Sequence, residues 1–522
     1  MSSIRKRFLI SAVANTGRAA ISLAVGLLVA RGLGPADYGN LAYLLGSFWA
    51  IRALLDMGSS SAFYTLIAQR GRSFKYYATY FAWLAFQLLF SLALVVLFLP
   101  ETLVDQFWFG LDRGLIVLAL LATFLQNQVW MTVVQMHEAV RKTVRIQVAG
   151  VLIILSHLIL VCAMLIGDWL SLSAVLWAIV GEYFVMAVWL VLTLRGANAM
   201  QPTKVNASSD DWQSVFMAYV SYCRPMAVIA VFTFAYEIVD RWLLQRYGGA
   251  PQQGYYQVAA QLSTISLLAA SSILNIFWKE IAEANERAAY EQVASLYRKT
   301  TQSLVFLAAF VSCFLVPWAE TLVDTLLGSA FHSAWPVLAL MLFYPIHQTV
   351  GQINGTLYMA TARNTVYMKL TVVGLLVSIP VSYALISPGV AWGEIGLGLG
   401  AMGLAVKIVG LNFLFVNIQS WEISRHYAIS FQWGEQLVAI LILLLIGFAC
   451  KFLTGQLHSL LLPMQEGLTL LLILMWMSVA GVLYLAAAIV LVMQVPSLAG
   501  IEQAEVKLYW AKFCSFIYRR NV

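Results

Sequence analysis

The chain has 522 residues, of which 61% are hydrophobic and 11% charged, and its mean hydropathy is +0.82. This composition excludes a soluble fold and predicts an all-α polytopic membrane protein. The formal net charge of +7 does not indicate a nucleic-acid partner. Its basic residues are concentrated in alternate short loops, which is the pattern that membrane topology produces.

Apolar windows of about 20 residues predict fourteen transmembrane helices. The first is interpreted as an uncleaved span, because its apolar pattern continues past the small residues that resemble a signal-peptide cleavage site. In chain order the windows run from Phe8 to Ala30, Gly39 to Met57, Tyr76 to Leu99, Leu115 to Gln135, Ile146 to Ile166, Leu170 to Leu194, Val215 to Val239, Tyr255 to Phe277, Gln302 to Val323, Ala334 to Met359, Val366 to Ile386, Gly396 to Val416, Gln436 to Phe452 and Leu468 to Met493.

The loops differ in basic residues according to the side of the membrane that the windows assign to them. Twenty-two Lys and Arg residues fall on the side of the two termini, and five fall on the other side. Cytoplasmic loops carry the excess of positive charge, so both termini are predicted to be cytoplasmic. The five residues on the other side are Arg31, Arg113, Arg241, Arg246 and Lys451.

A short turn sequence occurs twice and indicates an internal duplication. Residues 31–39, Arg-Gly-Leu-Gly-Pro-Ala-Asp-Tyr-Gly, recur 215 positions later as residues 246–254, Arg-Tyr-Gly-Gly-Ala-Pro-Gln-Gln-Gly, with Arg, Gly and Gly at equal offsets. Each copy joins the first helix of a six-helix half to the second, as in transporters built from repeats. The predicted organisation is a six-helix lobe at 1–195, a cytoplasmic linker at 196–213, a pseudo-symmetric six-helix lobe at 214–418, and two additional helices with a cytoplasmic tail at 419–522.

Four cations lie inside predicted spans: Arg18, Arg52, Arg224 and Lys407. Each costs roughly 2.5–3.5 kcal/mol on insertion scales, so such residues face a protein interior or a water-filled cavity. A cavity lined by cations indicates an anionic cargo.

Three of these cations have an alternative interpretation as partners of carboxylates. Arg52 has Asp56 one helical turn further on, where a local ion pair would satisfy both groups. Arg18 has no carboxylate one turn away on its own helix, and an inter-helix pair with Glu182 is its alternative, as it is for Arg224.

Polar residues at helical spacing form stripes on three otherwise apolar spans. They either join helices by hydrogen bonds or line a wet cavity that binds a sugar chain. The stripe residues that we predict to contact cargo are Asn15 on the first span, Gln257 and Gln261 on the eighth, and Gln348 and Gln352 on the tenth.

Several acidic groups are candidates for coupling or gating. Glu182, near the middle of the sixth span, could couple transport to H+ or Na+, or it could pair with an arginine. Asp56 is a second candidate. Glu237, Asp240 and Arg241 form a charged cluster at the outer end of the seventh span, interpreted as an ion-pair gate or an ordinary helix-end salt bridge.

The remaining chemistry-bearing residues predict no catalytic, metal or cofactor site. The histidines inside spans, His157 and His347, are interpreted as packed or hydrogen-bonded residues. The five cysteines are scattered without disulfide or metal spacing. The loops are too short to contain a catalytic domain, so the chain is not expected to be an enzyme.

The run from Ala30 to Gly39, followed by Leu-Asp-Met-Gly at 55–58, resembles the amino-terminal signature of the Wzx-type polysaccharide or O-antigen flippases. Further on, Asp240-Arg241 leading into Gly-Tyr-Tyr at 254–256, and the glycine-rich run 398–407, are similar to later features of that family. The resemblance covers roughly the first 420 residues.

That resemblance implies membership of the multidrug, oligosaccharidyl-lipid and polysaccharide exporter superfamily, with alternating access between two lobes. The implied cargo is an undecaprenyl-pyrophosphate-linked oligosaccharide, moved from the cytoplasmic to the outer leaflet of the bacterial inner membrane for O-antigen or exopolysaccharide assembly. The implied partners are membrane lipids and a polysaccharide polymerase or glycosyltransferases.

Three other functions stay open at this point. The two additional spans are typical of lipid II-type flippases. A multidrug cation antiporter of the same superfamily would need acidic cavity residues. A non-transporting partner of a polysaccharide synthase would explain the resemblance without any cargo site.

Overall fold

The computed structural model describes residues 2–69, 74–195, 211–269, 271–389, 396–429, 433–461, 470–501 and 503. Helices supply the regular secondary structure of these segments, which confirms the all-α prediction. They are α1 (Ser2–Asp56), α2 (Ser59–Gln69), α3 (Phe74–Ala93), α4 (Glu101–Trp108), α5 (Arg113–Thr123), α6 (Trp130–Ala139), α7 (Thr143–Ile166), α8 (Leu172–Arg195), α9 (Trp212–Leu243), α10 (Gly249–Ser263), α11 (Ser271–Glu286), α12 (Tyr290–Leu315), α13 (Ala319–Leu327), α14 (Trp335–Met341), α15 (Tyr344–Ala360), α16 (Asn364–Ile386), α17 (Gly400–His426), α18 (Trp433–Leu461) and α19 (Leu470–Gln494).

Shorter segments of other helix types extend several of these helices. The π-helical segments Leu94–Phe98, Phe124–Val129 and Leu244–Gly248 follow α3, α5 and α9 directly. A π segment shifts the hydrogen-bond register of a helix and is frequent at functional sites. The 3-10 segments are Thr264–Ala269, Val316–Trp318, Ser329–Ala334 and Pro496–Ala499.

Within the described part of the chain, 11 helices are long and apolar enough to cross a membrane, or up to 12 if the bent pair Ser329–Met341 and Tyr344–Ala360 is one span. The predicted number of fourteen is therefore not confirmed. Two candidates, Gly17–Asp56 and Trp212–Ser263, each extend over two of the predicted windows. Each of them is interrupted by a glycine with non-helical dihedral angles, Gly34 in the first and Gly249 in the second, so each consists of two helices joined across a kink.

The helices form two compact units. Unit 1 contains residues 1–254 and 382–401, and unit 2 contains residues 255–381 and 402–522. Helix α9 packs against α1, α2 and α3 in unit 1. The predicted lobe boundaries stay a prediction, because residues 196–210 of the linker and most of the carboxy-terminal tail lie outside the described residues.

Each unit has its own apolar core. In unit 1 the ring of Phe63 stacks on Tyr80 with centroids 4.2 Å apart, within a cluster from α2, α3 and α9. In unit 2, α18 and α19 pack against α12, and their buried residues include Leu443 and Tyr484. The two additional predicted spans therefore bury one face inside unit 2.

The duplicated turns adopt the same backbone conformation and touch each other within unit 1. Gly34 has φ 74° and ψ 172°, and its counterpart Gly249 has φ 78° and ψ 174°, a conformation that favours glycine. A Cβ added at Gly39 would overlap the carbonyl oxygen of residue 250, and one at Gly254 would overlap the carbonyl oxygen of residue 35. In both contacts the ninth residue of one copy of the turn sequence meets the fifth residue of the other copy. The two turns therefore contact each other symmetrically. We call this contact of residues 34–39 with residues 249–254 the glycine crossing.

Candidate functional site

A chain of amide side chains holds Arg52 inside unit 1. Arg52 donates from Nε to Oε1 of Gln128 at 3.3 Å. Gln128 donates to Oε1 of Gln87 at 2.7 Å, and Gln87 donates to the carbonyl of Leu55 at 3.1 Å. Gln128 lies in the π segment Phe124–Val129, whose altered register places it opposite α1 and α3. Neutral amides orient the guanidinium here without neutralising its charge.

Arg18 lies near the same π segment and belongs to the part of α1 that precedes the kink at Gly34. Its guanidinium lies against Gly150 of α7, where a Cβ would collide with it. It acts electrostatically on Tyr183 of α8, whose hydroxyl accepts a long hydrogen bond from Gln126 at 3.5 Å. We call Arg18, Arg52 and the side chains of the π segment around them the arginine site.

The arginines are not neutralised by carboxylates in the part of the chain whose side chains are described. Arg18, Arg52 and Arg224 form no ion pair there. The alternative pairing of Arg52 with Asp56 is not found among the described side chains. Asp56 instead accepts hydrogen bonds from Ser59 and Ser60 at 2.9 to 3.1 Å.

A helix break explains the position of Asp56. Met57 and Gly58 both have positive φ, 46° and 82°, so α1 ends and α2 begins within two residues. The Asp56 carboxylate faces the start of α2 and satisfies a free amide there, as an N-terminal cap does.

Glu182 pairs with a histidine and not with an arginine. Its Oε2 lies 2.9 Å from Nδ1 of His157, and the two side chains are 6% and 13% exposed. The interpretation of Glu182 as a partner of Arg18 or Arg224 is therefore wrong for the described side chains, and His157 is hydrogen-bonded as expected. The second oxygen of Glu182 has no hydrogen-bond partner there.

Arg224 lines a largely apolar cavity of about 1100 Å³ in unit 1. The cavity is bordered by α3, α9 and the break between α1 and α2, and Asp56 and Trp83 also contribute to its wall. Arg224 is exposed, in contrast to the half-buried Arg18 and Arg52. Its charge is available to a ligand that enters this cavity.

The predicted charged cluster of the seventh span contains one ion pair, although Nε of Arg241 has no hydrogen-bond partner among the described residues. Arg241 approaches Glu237 at 3.9 Å on the same helix, and its guanidinium lies across Gly46 of α1. The hydroxyl of Ser382 donates to Asp240 at 2.5 Å. These contacts lie beside the glycine crossing and contribute to the same end of unit 1.

Lys407 belongs to unit 2 and is 2% exposed. It takes part in an interaction and is not a free cation. The hypothesis that it lines one cavity with the arginines stays a prediction. Of the predicted stripe residues, Gln257, Gln261, Gln348 and Gln352 are half-buried, whereas the side chain of Asn15 lies outside the described residues.

Unit 2 contains a buried polar network that the sequence did not predict. Tyr297 donates to Asn354 at 2.7 Å, and Asn354 donates to Ser420 at 3.0 Å. His347 is buried against the ring of Phe413, as predicted for a packed histidine. These contacts satisfy buried polar groups and stabilise the packing of α12, α15 and α17.

A cluster of possible metal ligands lies elsewhere in unit 2. The ligand atoms of Glu320, Asp324 and His332 lie within 4.8 Å of one another, and all three residues are exposed. A hydrogen bond between His332 and Asp324 at 2.9 Å accounts for this arrangement without an ion.

The comparisons with known proteins define first the class of this fold. A structure described as the lipid II flippase MurJ in an inward closed conformation matches with a TM-score of 0.63 at 14% identity, covering 93% of this chain and 99% of that one. An inward-facing MATE family multidrug transporter of the MOP superfamily matches with a TM-score of 0.53 at 15% identity, covering 78% and 95%. A MOP superfamily transporter from Pyrococcus furiosus matches with a TM-score of 0.52 at 14% identity, covering 80% and 94%. The chain therefore shares its fold with these flippase and transporter structures.

The family follows from the sequence itself. The family model described as polysaccharide biosynthesis protein matches residues 28–336. The chain belongs to this family, which confirms the resemblance drawn from the turn motif. No curated protein matches the sequence.

Proposed function

We propose that this protein moves an anionic lipid-linked oligosaccharide of the undecaprenyl-pyrophosphate type from the cytoplasmic to the outer leaflet of the bacterial inner membrane by alternating access. The product would serve surface polysaccharide assembly, such as O-antigen or exopolysaccharide, together with a polymerase or glycosyltransferases. Membership of the polysaccharide biosynthesis protein family supports a glycan cargo. Both termini are proposed to be cytoplasmic.

The observation that carries this proposal is that three arginines of unit 1 lack an ion pair in the described part of the chain. Arg18, Arg52 and Arg224 lie in membrane-spanning helices and form no ion pair among the described side chains. A guanidinium is permanently charged and presents a planar fork that matches phosphate oxygens. An anionic head group would supply the missing negative charge. Lys407, Asn15, Gln257, Gln261, Gln348 and Gln352 are proposed as further cargo contacts.

The carboxylates of the same unit support an anionic rather than a cationic cargo. Asp56 is satisfied by two serines, and Glu182 is held by His157. A drug cation would find neither carboxylate free of neighbours, whereas a phosphate would find several cations. Glu182 is proposed as the coupling residue, and Asp56, Glu237, Asp240 and Arg241 as gating residues.

Complementation in cells tests the proposal. A strain that lacks this protein is expected to accumulate a lipid-linked oligosaccharide on the cytoplasmic leaflet, and the wild-type gene is expected to restore export. Arg18→Gln and Arg224→Gln should each leave the protein folded in the membrane and reduce export by at least about tenfold, the loss of one charged phosphate contact. The matched control is Arg145→Gln, which removes an exposed cation at the start of α7 and should export normally. Normal export by the double variant of Arg18 and Arg224 would refute the proposed cargo site.

A further inference from the structure

A histidine and a glutamate meet within two membrane-spanning helices of unit 1. His157 on α7 and Glu182 on α8 lie in the candidate spans Thr143–Ile166 and Leu172–Leu194 and are 2.9 Å apart. One carboxylate oxygen of Glu182 has no hydrogen-bond partner in the described part of the chain. Ionisable groups are costly within a bilayer, and where they occur they mark ion or substrate pathways.

Two cations of α1 lie along α7 on either side of His157. Arg18 lies against Gly150, seven residues before His157 on α7, which corresponds to about 10 Å along the helix axis. Arg31 lies towards the other end of α7, because the adjacent Gly32 packs on Leu165. Tyr183, which follows Glu182 directly on α8, accepts a hydrogen bond from Gln126 of the arginine site. The pair therefore shares an electrostatic environment with the arginine site.

The other neighbouring helices add no charge at this depth. Helix α5 and the π segment that follows it contain no titratable residue after Arg113. His137 and Glu138 lie in the last turn of α6, and α7 begins at Thr143, so they are about 20 Å from His157 along α7. The exposed Arg145 lies about 18 Å from it by the same rise per residue.

We propose that the pair of His157 and Glu182 is a proton-binding site, and that a proton bound there strengthens the binding of an anionic head group at Arg18. This inference rests on the proposed function and names its regulation. The proton comes from water and is shared by the imidazole and the carboxylate, and no other bond changes. A metal cation fits less well, because hard cations take several oxygen ligands and the pair offers a single carboxylate.

The net charge of the pair with and without the proton determines whether proton binding strengthens or weakens anion binding. Without the proton, a neutral imidazole and an ionised Glu182 carry one negative charge, which attracts the Arg18 guanidinium and repels an anionic ligand. With the proton, the pair is neutral, so the positive charge of Arg18 is left to the ligand. At about 10 Å and an intermediate dielectric constant, one unit of charge changes the affinity on the order of tenfold. By linkage, binding of the anion must in turn promote uptake of a proton.

The test uses the full-length protein in nanodiscs with undecaprenyl diphosphate as the probe. Affinity is measured between about pH 5 and pH 8, the range in which histidine changes its charge. Proton uptake on addition of the probe is followed with an indicator dye in weak buffer. Because the probe itself titrates, the measured quantity is the difference in pH dependence between variants. The wild type should gain about tenfold in relative affinity at low pH and take up a proton.

Matched variants separate this inference from the proposed function. Glu182→Gln preserves shape and a hydrogen bond to His157 but should abolish both the extra pH dependence and the proton uptake, and His157→Gln should weaken both. Glu182→Asp should retain them, and Glu138→Gln, the same chemical change on α6, should behave as the wild type. If Glu182→Gln binds the probe with wild-type pH dependence and proton uptake, the inference is wrong while the cargo site stands. If the wild type fails to bind the probe at any pH, the proposed function fails and the inference fails with it.

Discussion

The glycine crossing and the arginine site lie in the same unit, but they differ in the partners that their backbone and charged groups have within the protein. At the glycine crossing, Gly39 and Gly254 allow backbone to meet backbone, and the nearby Arg241 has Glu237 as an ion partner. At the arginine site, Arg18 has no ion partner among the described side chains, and Arg52 has only an amide. The glycine crossing is a direct contact between two backbone segments. The arginine site instead retains positive charge that none of its described residues neutralises. The difference supports the proposal that the arginine site binds an anionic ligand.

Among the substitutions that test this difference, those at the glycine crossing are expected to have the largest effect on stability. In Gly39→Ala and Gly254→Ala the new Cβ would overlap a backbone carbonyl of the opposite turn, which cannot move as a side chain can. Overpacking of this kind costs about 1–3 kcal/mol at each site. We expect lower thermal stability, and a cysteine placed at this end of unit 1 should react faster with a water-soluble thiol reagent.

Gly410→Ala provides the control for that experiment. Gly410 lies inside α17, and its new Cβ would meet no other atom. Alanine should therefore be neutral or stabilise the helix by up to about 1 kcal/mol. Equal stability of all three variants would show that the glycine crossing is not a close contact.

A smaller effect should follow from removing the amide that orients Arg52. Gln128→Leu deletes the acceptor of the Arg52 Nε hydrogen bond and leaves Gln87 without its donor. We expect a loss of about 1 kcal/mol in unfolding free energy, because both groups can still find partial compensation. Export should fall less than for Arg18→Gln, because the charge of Arg52 is retained. A complete loss of export in a folded Gln128→Leu protein would mean that the amide, rather than the guanidinium, contacts cargo.

The sequence predicted the helices and the unusual charges well, for local reasons. Long apolar windows predict helices in a membrane, and an arginine inside such a window is visible without any knowledge of tertiary structure. The duplicated turn was also visible, because Gly34 and Gly249 need a backbone conformation that glycine favours.

The partners of these charges could not be predicted. The pairing of His157 with Glu182 depends on the register of α7 against α8, which no local pattern encodes. The π segment Phe124–Val129 shifts Gln126 and Gln128 by one hydrogen-bond step, and such a shift leaves no compositional signature. The sequence did show three consecutive amide residues within an apolar window, which could have indicated a polar site in this span. The capping role of Asp56 could have been anticipated from Gly58, since glycine often marks the point where a helix ends.

We propose that the arginines of unit 1 that form no ion pair among the described side chains bind a phosphate-bearing head group. The most direct measurement is the affinity of the purified protein for undecaprenyl diphosphate, compared between the wild type, the Arg18→Gln and Arg224→Gln double variant, and Arg145→Gln. A charged hydrogen bond contributes about 1.5–3 kcal/mol, so the double variant should bind at least about a hundredfold more weakly, and Arg145→Gln should match the wild type. Equal affinity of all three proteins would contradict the account.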